Sequence, residues 1–161
     1  MTAEEILNIA RKEIGTKESP SGSNRVKYNT WYYNKEVRGA AYPWCCAFIC
    51  WLFKDTNLVL KTASCSAMVA WFKKQKRFYS DPKVGDLVFF NFSHPASIAD
   101  HIGIVDSINP NGSIYTIEGN TSSSSNDNGG AVMRRLRKAK IIGYGRPNYS
   151  NTIKGKKSNE E

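Results

Sequence analysis

The sequence predicts an α+β domain, with N-terminal helices packed on a C-terminal antiparallel β-sheet. Three observations carry that expectation. Apolar residues recur at helical spacing through the first half, the period switches to alternation from Gly85 onward, and Pro110-Asn111-Gly112 joins two alternating runs as a hairpin turn. At 161 residues the chain has the length of one ordinary domain with its own core. Residues 1–148 are read as that domain and 149–161 as a polar tail or linker stub.

Thr2 with Glu5 three residues later makes a capping box, and Ile6, Ile9, Ala10 and Ile14 then follow at helical spacing until Gly15. Residues 16–23 are polar and read as a loop, and the aromatic stretch Tyr28, Trp31, Tyr32, Tyr33 allows a short helix. After Pro43, the run from Trp44 to Phe53 is apolar nearly all round, as a central buried helix should be. Ser64 can cap a further helix through Ala67, Met68, Trp71 and Phe72, whose C-terminal end is crowded with Lys73, Lys74, Lys76 and Arg77. Strands are expected at residues 86–92, 101–108, 113–118, 132–137 and 141–146, and residues 121–130, almost wholly Ser, Asn, Asp and Gly, read as a flexible loop.

Composition narrows the classes. Forty per cent hydrophobic residues with 4 Trp, 8 Tyr and 7 Phe exclude intrinsic disorder, and no run approaches the roughly 18 apolar residues of a membrane span. No basic segment followed by an apolar block opens the chain, so no secretory signal is expected. The net charge of +9 favours an acidic partner such as nucleic acid, anionic lipid or wall polymer. The basic residues are scattered, however, which suits a solvated surface equally and gives no nucleic-acid motif. Cys45, Cys46 and Cys50 lie within six residues and Cys65 stands apart, which is neither a disulfide framework nor a zinc spacing. Neither cofactor nor metal is expected.

Cys45 falls in the first turn of the central helix, where free N–H groups and the positive dipole end stabilise a thiolate. On position alone it fits a nucleophile and a packed core thiol equally well. Cys46 points about 100° away and Cys50 lies more than a turn deeper, so both read as buried hydrophobes. A catalytic thiol needs a base, and the chain has two histidines. His94 sits in a loop, whereas His101 opens a strand that can fix its ring, so His101 is selected. A two-residue Asn111-Gly112 turn would set Gly103 opposite Asn120 and Val105 opposite Glu118, putting His101, Gly103, Glu118 and Asn120 on one face. A slip of one residue would move Glu118 to the other face. Tyr28, Trp31, Tyr42 and Trp44 are candidates to line a groove for glycan or peptide, although aromatics at such density also suit a core.

Four blocks, Pro43-Trp-Cys-Cys-Ala-Phe-Ile-Cys-Trp51, Gly85-Asp-Leu-Val-Phe-Phe90, Asp100-His-Ile-Gly-Ile-Val105 and Thr116-Ile-Glu-Gly-Asn-Thr121, resemble in order and spacing the CHAP (cysteine, histidine-dependent amidohydrolase/peptidase) domain of phage endolysins and bacterial peptidoglycan hydrolases. The resemblance covers about residues 3–148. It implies a papain-like (NlpC/P60-type) fold, nucleophile Cys45, base His101, orienting acid Glu118 and Asn120 as a further polar group. Cys46 departs from the small residue commonly found at its position. The implied activity is cysteine-dependent cleavage of an amide in peptidoglycan, as an N-acetylmuramoyl-L-alanine amidase or an endopeptidase. The implied setting is synthesis in a bacterial host's cytoplasm and action on its wall, as a monomer without membrane insertion. Some family members hold calcium in an Asp-rich loop ahead of the nucleophile helix. Residues 16–43 contain only Glu18 and Glu36 as acids, so that site is not carried over. The rival readings are a non-catalytic wall-binding module of the same fold and a basic nucleic-acid-binding domain, the latter marked by a steep loss of affinity with salt.

Overall fold

A computed structural model describes residues 1–93 and 98–150. Four helices precede the sheet: α1 (Ala3–Glu13), α2 (Lys27–Tyr33), α3 (Cys45–Leu52) and α4 (Cys65–Lys74). The strands are β1 (Phe78–Tyr79), β2 (Leu87–Phe90), β3 (His101–Ile108), β4 (Ile114–Thr121), β5 (Ala131–Arg137) and β6 (Ile141–Gly145). All neighbours in the sheet are antiparallel, in the order β1-β6-β2-β3-β4-β5. The expected α+β architecture is what forms. Its additions to the sequence reading are β1, a two-residue strand too short to show a period, and the extension of β4 to Thr121.

Local chemistry sets the helix ends. The capping box at α1 is complete: Glu5 N–H donates to the Thr2 hydroxyl at 3.2 Å, and Thr2 N–H donates to the Glu5 carboxylate at 2.8 Å. Ser64 caps α4 by accepting from Ala67 N–H at 3.1 Å. At α3, Trp44 occupies the N-cap with no side-chain capping bond, so the first N–H groups of this helix are not engaged by a capping side chain. Every residue of α3 but Trp51 is buried, which matches its unbroken apolar run.

Strand alternation divides the core in two. Leu87, Phe89, Ile102, Ile104 and Ile117 belong to the main cluster with α1, α3 and α4. Val88, Phe90, Val105, Ile114 and Tyr144 form a second cluster, as expected for the opposite face of the same strands. Helix α3 packs against β3 and β4. The approach is close enough that a Cβ at Gly119 would lie 2.7 Å from Phe48 Cβ and 3.0 Å from Trp44, so the absent side chain at that position admits the helix.

The hairpin between β3 and β4 departs from the expected register. Its loop is three residues, 110–112, rather than two: Gly112 N–H donates to Asn109 C=O at 3.0 Å, and Asn109 N–H donates to Ser113 C=O at 2.9 Å. Pro110 suits the first corner of a type I turn, and Gly112 takes the left-handed position at φ +89°. Ile108 therefore pairs with Ile114, one place from the predicted partner. A bulge at Asp106 adds a second one-residue shift, after which Val105 pairs with Thr116 and Ile104 with Ile117. Two single shifts restore the side-chain parity, and Glu118 comes to lie across from Gly103. Asp106 is pinned by Arg11 Nη2 at 2.7 Å and Arg134 Nε at 2.8 Å.

The residues nearest the end of the described chain are tied to the body. Tyr149 stacks on Phe53 with ring centroids 6.2 Å apart, and its hydroxyl donates to Gly85 C=O at 2.7 Å. Ser150 N–H donates to Met1 C=O at 2.9 Å. Among the described residues no helix is long and apolar enough to cross a membrane.

Candidate active site

Cys45 is the first residue of α3, and the residue is 7% exposed. His101, the first residue of β3, is fully buried and meets the start of α3 at the strand's end. Its Nε2 lies 2.8 Å from Glu118 Oε1 on β4. Gly103 makes this contact possible, because a Cβ there would lie 2.7 Å from Glu118 Cγ. The other ring nitrogen, Nδ1, is buried without a fully formed hydrogen bond among the described residues. Cys45 and His101 are close enough to shift each other's ionisation, and with Nε2 held by Glu118 the nitrogen available to the thiol is Nδ1. Slack contacts of this kind are usual before substrate closes a site.

The charges support one another. Burial works against the imidazolium of His101, but its hydrogen bonds with Cys45 and Glu118 override burial and lift the group to about 9. Burial likewise opposes ionisation of Glu118, and hydrogen bonds from Arg137 and His101 bring its carboxyl down to about 2. The contact with Cys65 and then burial push the Cys45 thiol up, while His101 pulls it down. The two sulfurs of Cys45 and Cys65 are 3.9 Å apart. Cys65 is itself the first residue of α4, so two helix N-termini bring their thiols together.

Glu118 has more partners than sequence reasoning supplied. Arg137 on β5 donates from Nε to Oε2 at 2.8 Å and from Nη2 to Oε1 at 2.6 Å, and the Thr116 hydroxyl donates to Oε2 at 2.5 Å. Arg137 is 7% exposed, although in the sequence it is one of many scattered basic residues. The only sequence signal for it is the phase of β5: Met133, Arg135 and Arg137 share a face, and Ile114, Thr116 and Glu118 share the face they pair with.

Of the other expected residues, Asn120 is fully buried in a left-handed conformation at φ +59°. Its Oδ1 accepts from Gly130 N–H at 3.1 Å, which ties the end of β4 to the far side of the 122–130 loop. Asn120 Nδ2 is buried with no partner among the described residues. Two of the four aromatics expected to line a groove belong instead to the core. Tyr28 and Trp44 are fully buried and stack on each other at 5.5 Å; the Tyr28 hydroxyl donates to Glu13 and the Trp44 indole N–H to Glu18. Their polar atoms are thus satisfied internally. Trp31 and Tyr42 are half-exposed. His94 lies outside the described residues.

Metal chemistry finds no ligand set: among the described residues no group of three or more His, Cys, Asp or Glu is placed to hold a metal ion. The two acids ahead of α3 do not fit a calcium loop, since Glu18 accepts from Trp44 and Glu36 is paired with Arg25 and Arg38. A different cavity of about 670 Å³ opens between residues 14–21 and 122–134, lined in part by Glu18, Gly130 and Met133.

No curated protein sequence matches the chain. Among solved structures it is similar to a wild-type endolysin, LysIME-EF1, with a TM-score of 0.60 at 13% identity, over 94% of this chain and 66% of that one. It is also similar to Ly7917, with a TM-score of 0.55 at 16% identity, over 91% of this chain and 63% of that one. A second structure of Ly7917, described as holding the hydrolysing product of MDP, matches to the same degree. The chain thus spans a little under two thirds of each neighbour, and these likenesses establish a shared fold. The CHAP domain profile matches residues 37–120, a span that runs from just before α3 through Asn120 and takes in Cys45, His101 and Glu118. By that match, over half of its length, the chain belongs to the CHAP domain family.

Proposed function

We propose that this protein is a peptidoglycan hydrolase that cuts an amide bond by cysteine nucleophilic catalysis. The observation that carries the reading is the buried line from Cys45 at a helix N-terminus through His101 to Glu118, with 2.8 Å between imidazole and carboxylate. Membership of the CHAP family and the endolysin neighbours supply the substrate class.

In this reading the thiolate of Cys45 attacks the amide carbonyl carbon, and negative charge moves to the carbonyl oxygen. The N–H groups opening α3, which no side chain caps, are the donors for that oxyanion. As the tetrahedral intermediate collapses, the C–N bond breaks and the His101 imidazolium gives its proton to the departing amine. A water then attacks the thioester, His101 takes the water's proton, and the carboxylate product leaves as the thiol is restored. Glu118 holds the ring so that Nδ1 faces the sulfur and supports the imidazolium when it forms. Positive charge over the molecule suits a wall carrying anionic polymers. The bond cut is either the muramoyl-alanine amide or a stem or cross-bridge peptide bond.

Digestion of defined peptidoglycan, with the released fragments weighed by mass spectrometry, tests the activity and chooses the bond. Cys45→Ala and His101→Ala should each lower release by at least about 10³-fold, with the thermal melt of Cys45→Ala nearly unchanged. Fragment release by folded Cys45→Ala at the parental rate would remove the proposed nucleophile.

A further inference from the structure

We infer that Arg137 is a positioning residue of this site, clamping both oxygens of Glu118 so that one of them is presented to His101 and the carboxylate's charge is divided between two cations. The inference rests on the roles proposed for Cys45, His101 and Glu118. Its own basis is the geometry on β5. The guanidinium bridges Oε2 at 2.8 Å and Oε1 at 2.6 Å, and Oε1 is also the atom that meets His101. The remaining contacts fix the fork in place. Nη1 donates to Asn126 Oδ1 at 2.8 Å, and the group lies over the rings of Phe90 and Phe92 at 5.3 and 5.0 Å. A planar fork stacked on aromatic faces can do this, whereas an ammonium can offer only a point charge.

The consequence for catalysis follows from counting charges in a buried space. A carboxylate facing His101 alone would hold the imidazolium tightly and resist its giving up a proton. Shared with Arg137, the same carboxylate still orients the ring but stabilises its charge less. The groups facing this assembly are Cys45 from α3, with Cys65 from α4 behind it, Glu118 and Thr116 from β4, and Arg135 and Arg137 from β5. Arg137 also bonds Asn126 in the 122–130 loop, so it ties the site to a surface segment.

The test reads both rate and pH dependence in the intact chain. Lysis of purified sacculi is measured over substrate concentration, and alkylation of Cys45 by iodoacetamide is followed over pH by peptide mapping. Arg137→Gln should lower the saturating lysis rate about tenfold with little change in the half-saturating sacculus concentration. It should also move the alkaline limb of Cys45 reactivity upward by about half a pH unit or more, because a cation beside the imidazole's carboxylate is gone. Glu118→Gln should move that limb downward, and Arg137→Lys should return it to the parental position while recovering only part of the rate. A role in folding alone would not shift the limb in opposite directions for the two partners. An Arg137→Gln protein with the parental pH profile, whose rate loss follows only its loss of thermal stability, overturns the inference. If Arg137→Gln does not fold, Arg137→Lys decides, and a parental saturating rate in that variant overturns the inference equally. Lytic activity in Cys45→Ala or His101→Ala would instead defeat the underlying assignment, whatever Arg137 does.

Discussion

At the residue scale, the proposed catalytic constellation is also a pH-dependent element of the fold. Glu118 is brought from an ordinary 4.5 to about 2, so its contribution to stability is present above about 4.5 and is lost as pH falls toward 2. His101 is raised from 6.5 to about 9, so its contribution is complete below about 6.5 and is lost as pH rises through 9. Stability should therefore fall off at both ends of that window. Thermal melts from pH 3 to 10 should show a plateau near neutrality. In Glu118→Gln the acid-side decline should flatten, because the group that titrates there is gone. An unaltered acid limb in that variant would mean that another carboxylate, such as Asp106, carries it. Cys45, His101 and Glu118 were all legible as residues from the sequence, since the thiol's helix position and the strand-opening histidine are local features. Arg137 was not, because its partnership depends on how β5 registers on β4 across the 122–130 loop. That loop, expected to be flexible from its Ser, Asn and Gly content, is strapped by Arg135 to Ser122 C=O at 2.6 Å and by Arg137 to Asn126.

At the scale of elements, the β3–β4 hairpin shows how a partly mistaken expectation reached the right neighbours. Side-chain identity and strand phase were readable in Asp100 to Val105 and Thr116 to Thr121. The length of the turn was not, because Pro110 and Asn111 suit either a two-residue or a three-residue loop until the pairing beyond them is known. The bulge at Asp106 is held by side chains from α1 and β5, which no local pattern could reveal. Gly103 is the point at which the hairpin and the site depend on each other most directly. Gly103→Ala would drive a methyl into Glu118 Cγ, 2.7 Å away, and should destabilise the chain by about 1–3 kcal/mol. The variant should also lose turnover beyond what its stability explains, since Glu118 must move off His101. Urea unfolding and lysis rate measured on one preparation check both parts, and unchanged turnover would mean that Glu118 has room to yield.

At the scale of the whole molecule, helices from the first half and strands from the second supply the two sides of the site, so its geometry depends on how the halves are held together. The closure at the chain's ends contributes to this. Arg146 spans Asp86 through two bonds of 2.9 Å each, Arg77 Nε donates to Arg146 C=O at 2.7 Å, and Tyr149 lies on Phe53 while bonding Gly85. Residues 149–161 read from the sequence as a tail, and within them the Tyr149 ring and hydroxyl both find partners in the body. A chain ending at Asn148 should therefore melt several degrees below one ending at Ser150. Calorimetry of the two truncations decides, and equal melting temperatures would show that the Tyr149 contacts add nothing net. The packing of the first half was the most legible part of the fold, since an apolar run such as α3 has no other stable destination than the interior.

The paired shifts in the β3–β4 hairpin constrain which insertions and deletions this lineage of sequences can accept. One residue added to or removed from the 110–112 turn would rotate Glu118 toward the face where Ile102, Ile104 and Ile117 pack, leaving a carboxylate among aliphatic side chains and His101 without its partner. Two residues, or one offset by gain or loss of a bulge, would leave every side chain on its present face. The separation between histidine and glutamate can therefore drift in even steps from its present 17 residues, and an odd step requires a compensating irregularity elsewhere in the same pair of strands.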